Sequence, residues 1–162
     1  ELLNCKEEIQ KFAAKTLDRH DVFFIVRGLD YAVSVEGSLK LKEISYIHSE
    51  AYAAGELKHG TISLIENGTL VFGVLTQNNL IEKTVSNLVE TKSRGALIAV
   101  VAEEGTNVPA DFEQVFRIPV TDGRFAASLA VIPLQLFAYY LSVLRGNDVD
   151  KPRNLAKSVT VE

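Results

Sequence analysis

Residues 22–30 read VFFIVRGLD. The five consecutive apolar residues are typical of a buried β-strand, and Gly28 then marks a turn. Residues 31–47 follow with the apolar spacing of a helix, so this stretch predicts a strand that passes through a glycine turn into a helix.

The same alternation continues on both sides of this stretch. Upstream, one helical stripe is formed by Ile9, Phe12, Ala13 and Leu17. Downstream, short apolar runs predict further strands over residues 70–75, 96–101 and 115–120, and the stretch around residues 49–53 is a further candidate for a short strand. Strands that are apolar throughout and separated by helices predict an α/β fold, here a three-layer αβα sandwich with a five-stranded parallel sheet.

Two of the predicted helices have a predicted inward face. In the helix over residues 31–47, that face comprises Val35, Leu39 and Ile47. The later helix has Asn79 as a candidate N-cap with Glu82 three residues on, and Gly95 as its candidate end. Its predicted inward residues are Ile81, Val85, Leu88 and Val89.

Length and composition indicate one soluble domain, which we assign to residues 1–150, followed by a tail over residues 151–162. The net charge of −4 and the dispersed basic residues argue against nucleic-acid binding. A single cysteine, Cys5, fits a reducing cytoplasm, and no signal peptide is visible. The chain opens at Glu1 without a methionine, which suggests a fragment.

Residues 125–144 contain no charged residue and are long enough to cross a bilayer as a helix. The alternative is a helix buried in the core or at a subunit interface. Pro133, Gln135 and two serines dilute the stretch, and the chain upstream has the pattern of a water-soluble fold. We therefore expect a buried helix and no membrane contact.

In a parallel sheet, ligands bind beyond the carboxyl ends of the strands. The candidate turns there are residues 27–30, RGLD, and 76–79, TQNN. Neither contains a dinucleotide-binding GxGxxG motif or a P-loop, and neither makes a convincing phosphate cradle. We expect no nucleotide and no other cofactor.

The densest group of reactive side chains lies between residues 37 and 60. On a helix, Lys40 and Glu43 share a face. They form either a surface ion pair or a general base beside a cation, able to move a proton on a carbon next to a carbonyl. His48 and His59 lack the spacing of metal ligands, so no metal site is expected.

The tail over residues 151–162 also leaves two interpretations open. Pro152 breaks any helix, and the composition is that of a frayed, solvated terminus. Alternatively, Lys157 is a nucleophile, which requires a site that lowers its pKa so that the neutral amine can attack a carbonyl.

Two segments carry a family resemblance. Residues 27–60, RGLDYAVSVEGSLKLKEISYIHSEAYAAGELKHG, and residues 150–162, DKPRNLAKSVTVE, resemble the second sugar-isomerase (SIS) half of the glucosamine-6-phosphate synthase family. The chain between them fits that half throughout. The resemblance implies the SIS fold, which is flavodoxin-like, and an enzyme that converts fructose 6-phosphate and glutamine-derived ammonia to glucosamine 6-phosphate.

The resemblance also implies roles for particular residues. Lys157 would form a Schiff base with the open-chain sugar, and the backbone near Ala156 would contact that sugar. Glu43 would move a proton between sugar carbons 1 and 2, with Lys40 assisting. His59 would open the sugar ring in the active site of the neighbouring subunit of a homodimer.

The family's enzyme has further parts that this chain does not match. They are a first SIS half, whose Ser/Thr-rich loops hold the sugar phosphate, and a glutaminase domain, whose cysteine nucleophile is not Cys5. We therefore expect the isolated chain to be inactive. Two other classes remain open: a non-catalytic phosphosugar-binding SIS module of a regulator, and a flavodoxin-like scaffold without a ligand.

Overall fold

Strands and helices alternate along most of the chain, but the last two strands follow one another without a helix between them. The computed structural model describes residues 5–155, so the predicted site residues Ala156 and Lys157 lie outside the described part of the chain. Five strands are present: β1 Asp21–Val26, β2 His48–Ala53, β3 Leu70–Leu75, β4 Leu97–Glu103 and β5 Gln114–Ile118. Four α-helices accompany them: α1 Lys6–Lys15, α2 Asp30–Lys40, α3 Ile81–Lys92 and α4 Ala126–Leu144.

The strands form one parallel sheet in the order β2-β1-β3-β4-β5. β1 lies between β2 and β3, with Val22 beside Ser49 on one side and beside Leu70 on the other. This is the strand order of flavodoxin-like folds. The predicted α/β class and five-stranded parallel sheet are confirmed.

The two faces of the sheet bury separate apolar clusters. Alternate β1 residues point to opposite faces, so Phe24 packs with α1, α2 and α4, whereas Phe23 packs on the side of α3. Two 3-10 segments, Ala54–His59 and Thr61–Leu64, also lie on the α3 side. The result is the predicted three-layer arrangement.

The predicted inward face of α2 is wrong. Val35 and Leu39 are 44% and 48% exposed, and the buried face carries the small residues Ser34, Gly37 and Ser38. A Cβ atom at Gly37 would lie 2.8 Å from a methyl carbon of Leu134 on α4. The helix therefore approaches its neighbours too closely for large apolar side chains.

The helix predicted over residues 31–47 is also divided. α2 ends at Lys40, and a π-helix follows over Leu41–Ser45. Tyr46 then adopts a left-handed conformation with φ +56°, which stops the helix. The amide of Ile47 still donates to the carbonyl of Leu41, and Ile47 is buried as predicted.

The start of α3 differs from the prediction. The helix begins at Ile81 after Leu80, and no side chain caps it, so the role predicted for Asn79 is wrong. The Leu80 amide instead donates to the carbonyl of Gln77, because a tight turn leads into the helix. Val89 is 46% exposed, against expectation, whereas Leu88 is fully buried.

The apolar helix α4 is long enough to span a membrane by length and composition, with a mean hydropathy of 1.7. It packs on α1, α2 and the sheet, however, and several of its large side chains are in the core, among them Leu134, Phe137 and Leu141. The core helix of a soluble protein has the same composition. These contacts favour the expected buried helix.

Candidate active site

Lys40 and Glu43 form a close ion pair just before the sheet's edge strand. The Lys40 Nζ atom lies 2.6 Å from Glu43 Oε2 and 3.7 Å from Glu36 Oε1. Both members of the closer pair are about one-third exposed, at 29% and 31% of their side-chain surface. The hydrogen bond to Glu43 raises the pKa of Lys40, although partial burial opposes this. Lys40 is therefore an ammonium at neutral pH.

Lys40 and Glu43 both line two neighbouring clefts, so the ion pair forms a wall that the clefts share. The larger, here called the tail cleft, has a volume of about 730 Å³ and is lined by Leu39, Lys40, Lys42, Glu43, Tyr46, Ile47, His48, Arg153, Asn154 and Leu155. The second, of about 600 Å³, is lined by Lys40, Glu43, Ile44, Val149, Asp150, Lys151, Pro152 and Leu155. The described end of the tail therefore lies against the ion pair.

The π-helix that carries Glu43 is held by side chains of α4 and the residues after it. Ser142 Oγ and Asn147 Nδ2 both donate to the carbonyl of Ile44, at 2.6 and 3.2 Å. In the other direction, Ser45 Oγ donates to the carbonyl of Ala138 at 2.8 Å. These bonds satisfy groups that the wider helical turn leaves free, and they fix the segment on α4.

Arg145 ties the same region to the start of β1. Its Nη2 atom donates to the carbonyls of Leu17 and Arg19 at 2.9 and 2.6 Å, and Nη1 lies 3.5 Å from the carbonyl of Ser45. Partial burial lowers the pKa of Arg145. The guanidinium thus joins three chain segments at the amino-terminal edge of the sheet.

Tyr46 and Arg153 were not predicted as site residues. The backbone amide of Arg153 donates to Tyr46 Oη at 2.9 Å, and the guanidinium carbon lies 4.1 Å from the centre of the Tyr46 ring. Tyr46 lies in the first, and Arg153 in the second, of the two segments that carry the family resemblance. That resemblance is the sequence signal that could have identified them. Four of the five described tail residues are exposed nonetheless, with Pro152 the exception, so both interpretations of the tail stay predictions.

His59 and Glu43 lie at opposite ends of β2, the edge strand of the sheet. Glu43 precedes β2, whereas His59 ends the 3-10 segment Ala54–His59 that follows β2. A six-residue strand spans about 20 Å. The structure therefore does not bring these two predicted site residues together within one chain.

The turns at the carboxyl ends of β1 and β3 are closed by the chain's own side chains. Asp30 is 3% exposed and accepts hydrogen bonds from the hydroxyl and, at 3.1 Å, the backbone amide of Thr76. Burial raises the pKa of Asp30. Gly28, with φ +60°, faces a methyl carbon of Leu80 at 2.8 Å from an ideal Cβ position. The candidate crevice between these turns is therefore filled.

The sequence also predicts that no metal site is present. Within residues 5–155, no group of three or more His, Cys, Asp and Glu side chains is placed to hold a metal ion. His48 Nδ1 lies 2.8 Å from Asp21 Oδ1 at the amino-terminal edge of the sheet. His48 is thus part of a surface pair beside the tail cleft.

Comparison with known proteins agrees with the fold described above. Residues 17–145 match the SIS domain family. The chain is 57% identical over 162 residues to the glutamine–fructose-6-phosphate aminotransferase (isomerizing) of Caldanaerobacter subterraneus, with 99% of this chain covered. It is 60% identical over 161 residues to the enzyme of the same name from Clostridium tetani, again with 99% covered.

A solved structure shows the same fold. The C-terminal domain of glucosamine-fructose-6-phosphate aminotransferase from Francisella tularensis superposes with a TM-score of 0.86 at 36% identity, covering 93% of this chain and 43% of that one. The chain spans about a quarter of the curated relatives' length, 27% and 26%.

Proposed function

Because this chain belongs to the SIS domain family, we propose that it is the sugar-isomerase half that supplies proton transfer and the Schiff-base lysine to a glutamine–fructose-6-phosphate aminotransferase. The observation that carries this proposal is the Lys40–Glu43 pair, which lines two clefts against which the C-terminal tail packs. A carboxylate and an ammonium at one cleft suit chemistry beside a carbonyl.

Glu43 is proposed to be the base of the isomerisation. With nitrogen bound as an imine at carbon 2 of fructose 6-phosphate, Glu43 would take a proton from carbon 1 and return it to carbon 2. The carbon–nitrogen double bond becomes a single bond as the nitrogen gains the proton that the carbon 1 hydroxyl group loses. Carbon 1 thereby becomes the aldehyde of an aldose with nitrogen on carbon 2. Lys40, held 2.6 Å from Glu43, would orient the carboxylate and assist the proton transfer.

Lys157 is proposed to bind the open-chain sugar through its neutral amine. The amine nitrogen would attack the carbonyl carbon at carbon 2, and water would leave as the imine forms. Ammonia would then add to this imine and Lys157 would leave as the free amine, which gives the imine on which Glu43 acts. Leu155 lines both clefts, and a chain extends at most about 3.5 Å per residue. Lys157 follows Leu155 by two residues, so the proposal requires the chain to span at most about 7 Å from these clefts. The backbone by Ala156 would contact the sugar.

His59 is proposed to open the sugar ring in a neighbouring subunit. Its exposed position, a strand's length away from Glu43, supports action across an interface of a homodimer rather than within one chain. The same proposal has three further parts. The enzyme is cytoplasmic, a first SIS half grips the phosphate, and a glutaminase domain supplies ammonia. The isolated chain would then be inactive.

The test is the exchange of the carbon 1 hydrogen of fructose 6-phosphate with solvent deuterium, in the full-length enzyme carrying Glu43→Gln. Loss of a general base lowers such rates by about 10²–10⁴-fold. Glu7→Gln, an exposed change on α1, is the matched control and should exchange normally. Unimpaired exchange in Glu43→Gln would exclude this role, whereas no exchange in the wild-type enzyme would favour a non-catalytic phosphosugar-binding module.

A further inference from the structure

Two non-glycine residues in the described part of the chain have left-handed backbone conformations. They are Tyr46, with φ +56°, and Asn154, with φ +61°. Asparagine adopts this conformation readily, but a bulky tyrosine rarely does. Both residues line the tail cleft. Such backbone positions persist only where the surroundings hold them, and they cluster at functional sites.

The surroundings of Tyr46 consist largely of the tail. Its hydroxyl accepts the backbone amide of Arg153, and its ring lies beneath the Arg153 guanidinium, 4.1 Å from the ring centre to the guanidinium carbon. The hydrogen bond holds the backbone of Arg153, and the ring contact holds its side chain. A tyrosine can make both contacts, whereas phenylalanine retains only the ring contact.

The tail reaches Tyr46 in a defined path. The amides of Asp150 and Lys151 donate to Asp148 Oδ1 at 3.0 and 3.1 Å, which turns the chain after α4. Pro152 follows, and its ring restricts the backbone. Asn154 then reverses the direction of the chain immediately after the contact with Tyr46.

Tyr46 also belongs to the segment that carries the ion pair. It ends the π-helix Leu41–Ser45, in which Glu43 stands, and that segment is fixed on α4 through Ser45 and Ser142. The anchor of the tail therefore lies three residues after Glu43, on the same fixed segment. A change at Tyr46 would alter the position of the tail relative to Glu43.

We propose that Tyr46 is a positioning residue, which docks the C-terminal tail through Arg153 and so holds Leu155 beside the Lys40–Glu43 pair. This inference rests on the proposed function, because it matters for catalysis only if the tail carries the Schiff-base lysine. Tyr46 itself need not touch the sugar.

The test uses the full-length enzyme with Tyr46→Phe, Arg153→Gln and Tyr46→Leu. The first change removes the hydroxyl, the second removes the guanidinium and the third removes both contacts. Three quantities are measured: kcat and KM for fructose 6-phosphate, the rate at which cyanoborohydride traps the sugar imine on Lys157, and deuterium uptake by the amides of residues 150–162.

Tyr46→Phe and Arg153→Gln should each lower kcat and the trapping rate by roughly 3- to 10-fold, because each removes one contact of modest strength. KM should change less, because the phosphate is held elsewhere in the proposed enzyme. Tyr46→Leu should combine the two effects, and tail amides should exchange faster in all three variants. Tyr139→Phe and Arg94→Gln, which change an exposed tyrosine and an exposed arginine elsewhere, should match the wild type.

Unchanged trapping and unchanged tail exchange in both Tyr46→Phe and Arg153→Gln would overturn the inference. So would a loss of activity explained by a lowered melting temperature with normal trapping per folded enzyme. Lys157→Ala separates this inference from the proposed function: if it still forms product, the proposed function fails, whatever Tyr46 does. If only Lys157→Ala loses trapping, the proposed function stands and Tyr46 is not its positioning residue.

Discussion

Single residues at the amino-terminal edge of the sheet combine ordinary interactions into an unusual site. The ion pair of Lys40 and Glu43 would be of little consequence on an exposed helix. Here each partner is only about one-third exposed, and the pair forms the wall between two clefts. The same contact thus holds a carboxylate at the two clefts that Leu155 also lines.

Sequence reasoning found some of these residues and missed others for a simple physical reason. The approach of Lys40 to Glu43 follows from helical spacing, because residues three apart share a face. The contact of Tyr46 with Arg153 joins residues 107 positions apart, and no local pattern encodes it. The positions of Ala156 and Lys157 remain predictions.

Asp30 makes the stability of the chain depend on pH. Burial raises its folded-state pKa above the ordinary value of 3.8, with the nearby Glu103 acting in the same direction. The folded state therefore holds this proton more tightly than the unfolded state, and its contribution to stability falls as pH rises from about 4 through the raised pKa.

Asp30→Asn should flatten this pH dependence, because the amide cannot lose a proton yet still accepts from the Thr76 amide. Asp30→Ala should cost about 1–3 kcal/mol near neutral pH, because it leaves the buried Thr76 donors without their acceptor. Urea unfolding at several pH values measures both. An identical pH slope in Asp30→Asn and the wild type would refute this assignment.

At the scale of elements, the buried strands were predicted well and the helix faces less well. A continuous apolar run with helices on either side, such as β3, predicts a buried strand, and every residue of β3 is indeed buried. The face of α2 depends instead on how closely the neighbouring helix approaches. Small residues mark that contact, and a search for large apolar residues selects the wrong face.

Gly37→Val tests the close approach of α2. The new side chain would meet Leu134 and the ring of Phe24, whose nearest atoms lie 2.8 and 3.2 Å from an ideal Cβ. Overpacking of this kind costs about 1–3 kcal/mol. Gly123→Val is the control, because nothing lies within 4 Å of its Cβ position and its φ is not left-handed. Similar free energies of unfolding for both variants would contradict the close packing.

At the scale of the whole molecule, two of the predicted site residues lie apart. Glu43 precedes β2 and His59 follows it, so they lie at opposite ends of the same edge strand. The chain also spans about a quarter of the curated relatives' length. A site that uses both residues requires a second subunit, which no sequence pattern within one chain could show.

Mixed dimers of the full-length enzyme test that arrangement. If His59 acts in the neighbouring subunit, a dimer of one Lys157→Ala chain and one His59→Ala chain retains one intact site. Activity should therefore return when the two inactive variants are co-expressed, and a substantial fraction of wild-type turnover is expected. Two copies of either variant alone serve as controls. No recovery in purified mixed dimers would indicate that His59 acts within its own chain.

The most direct test of the central claim is to locate the sugar imine itself. Full-length enzyme is incubated with fructose 6-phosphate and cyanoborohydride, digested and analysed by peptide mass spectrometry. The account predicts a reduced hexose-phosphate adduct on Lys157, lost in Lys157→Ala and retained in Lys42→Ala, which changes another lysine that lines the tail cleft. An adduct on Lys42 or Lys151, or no adduct under conditions of active turnover, would contradict it.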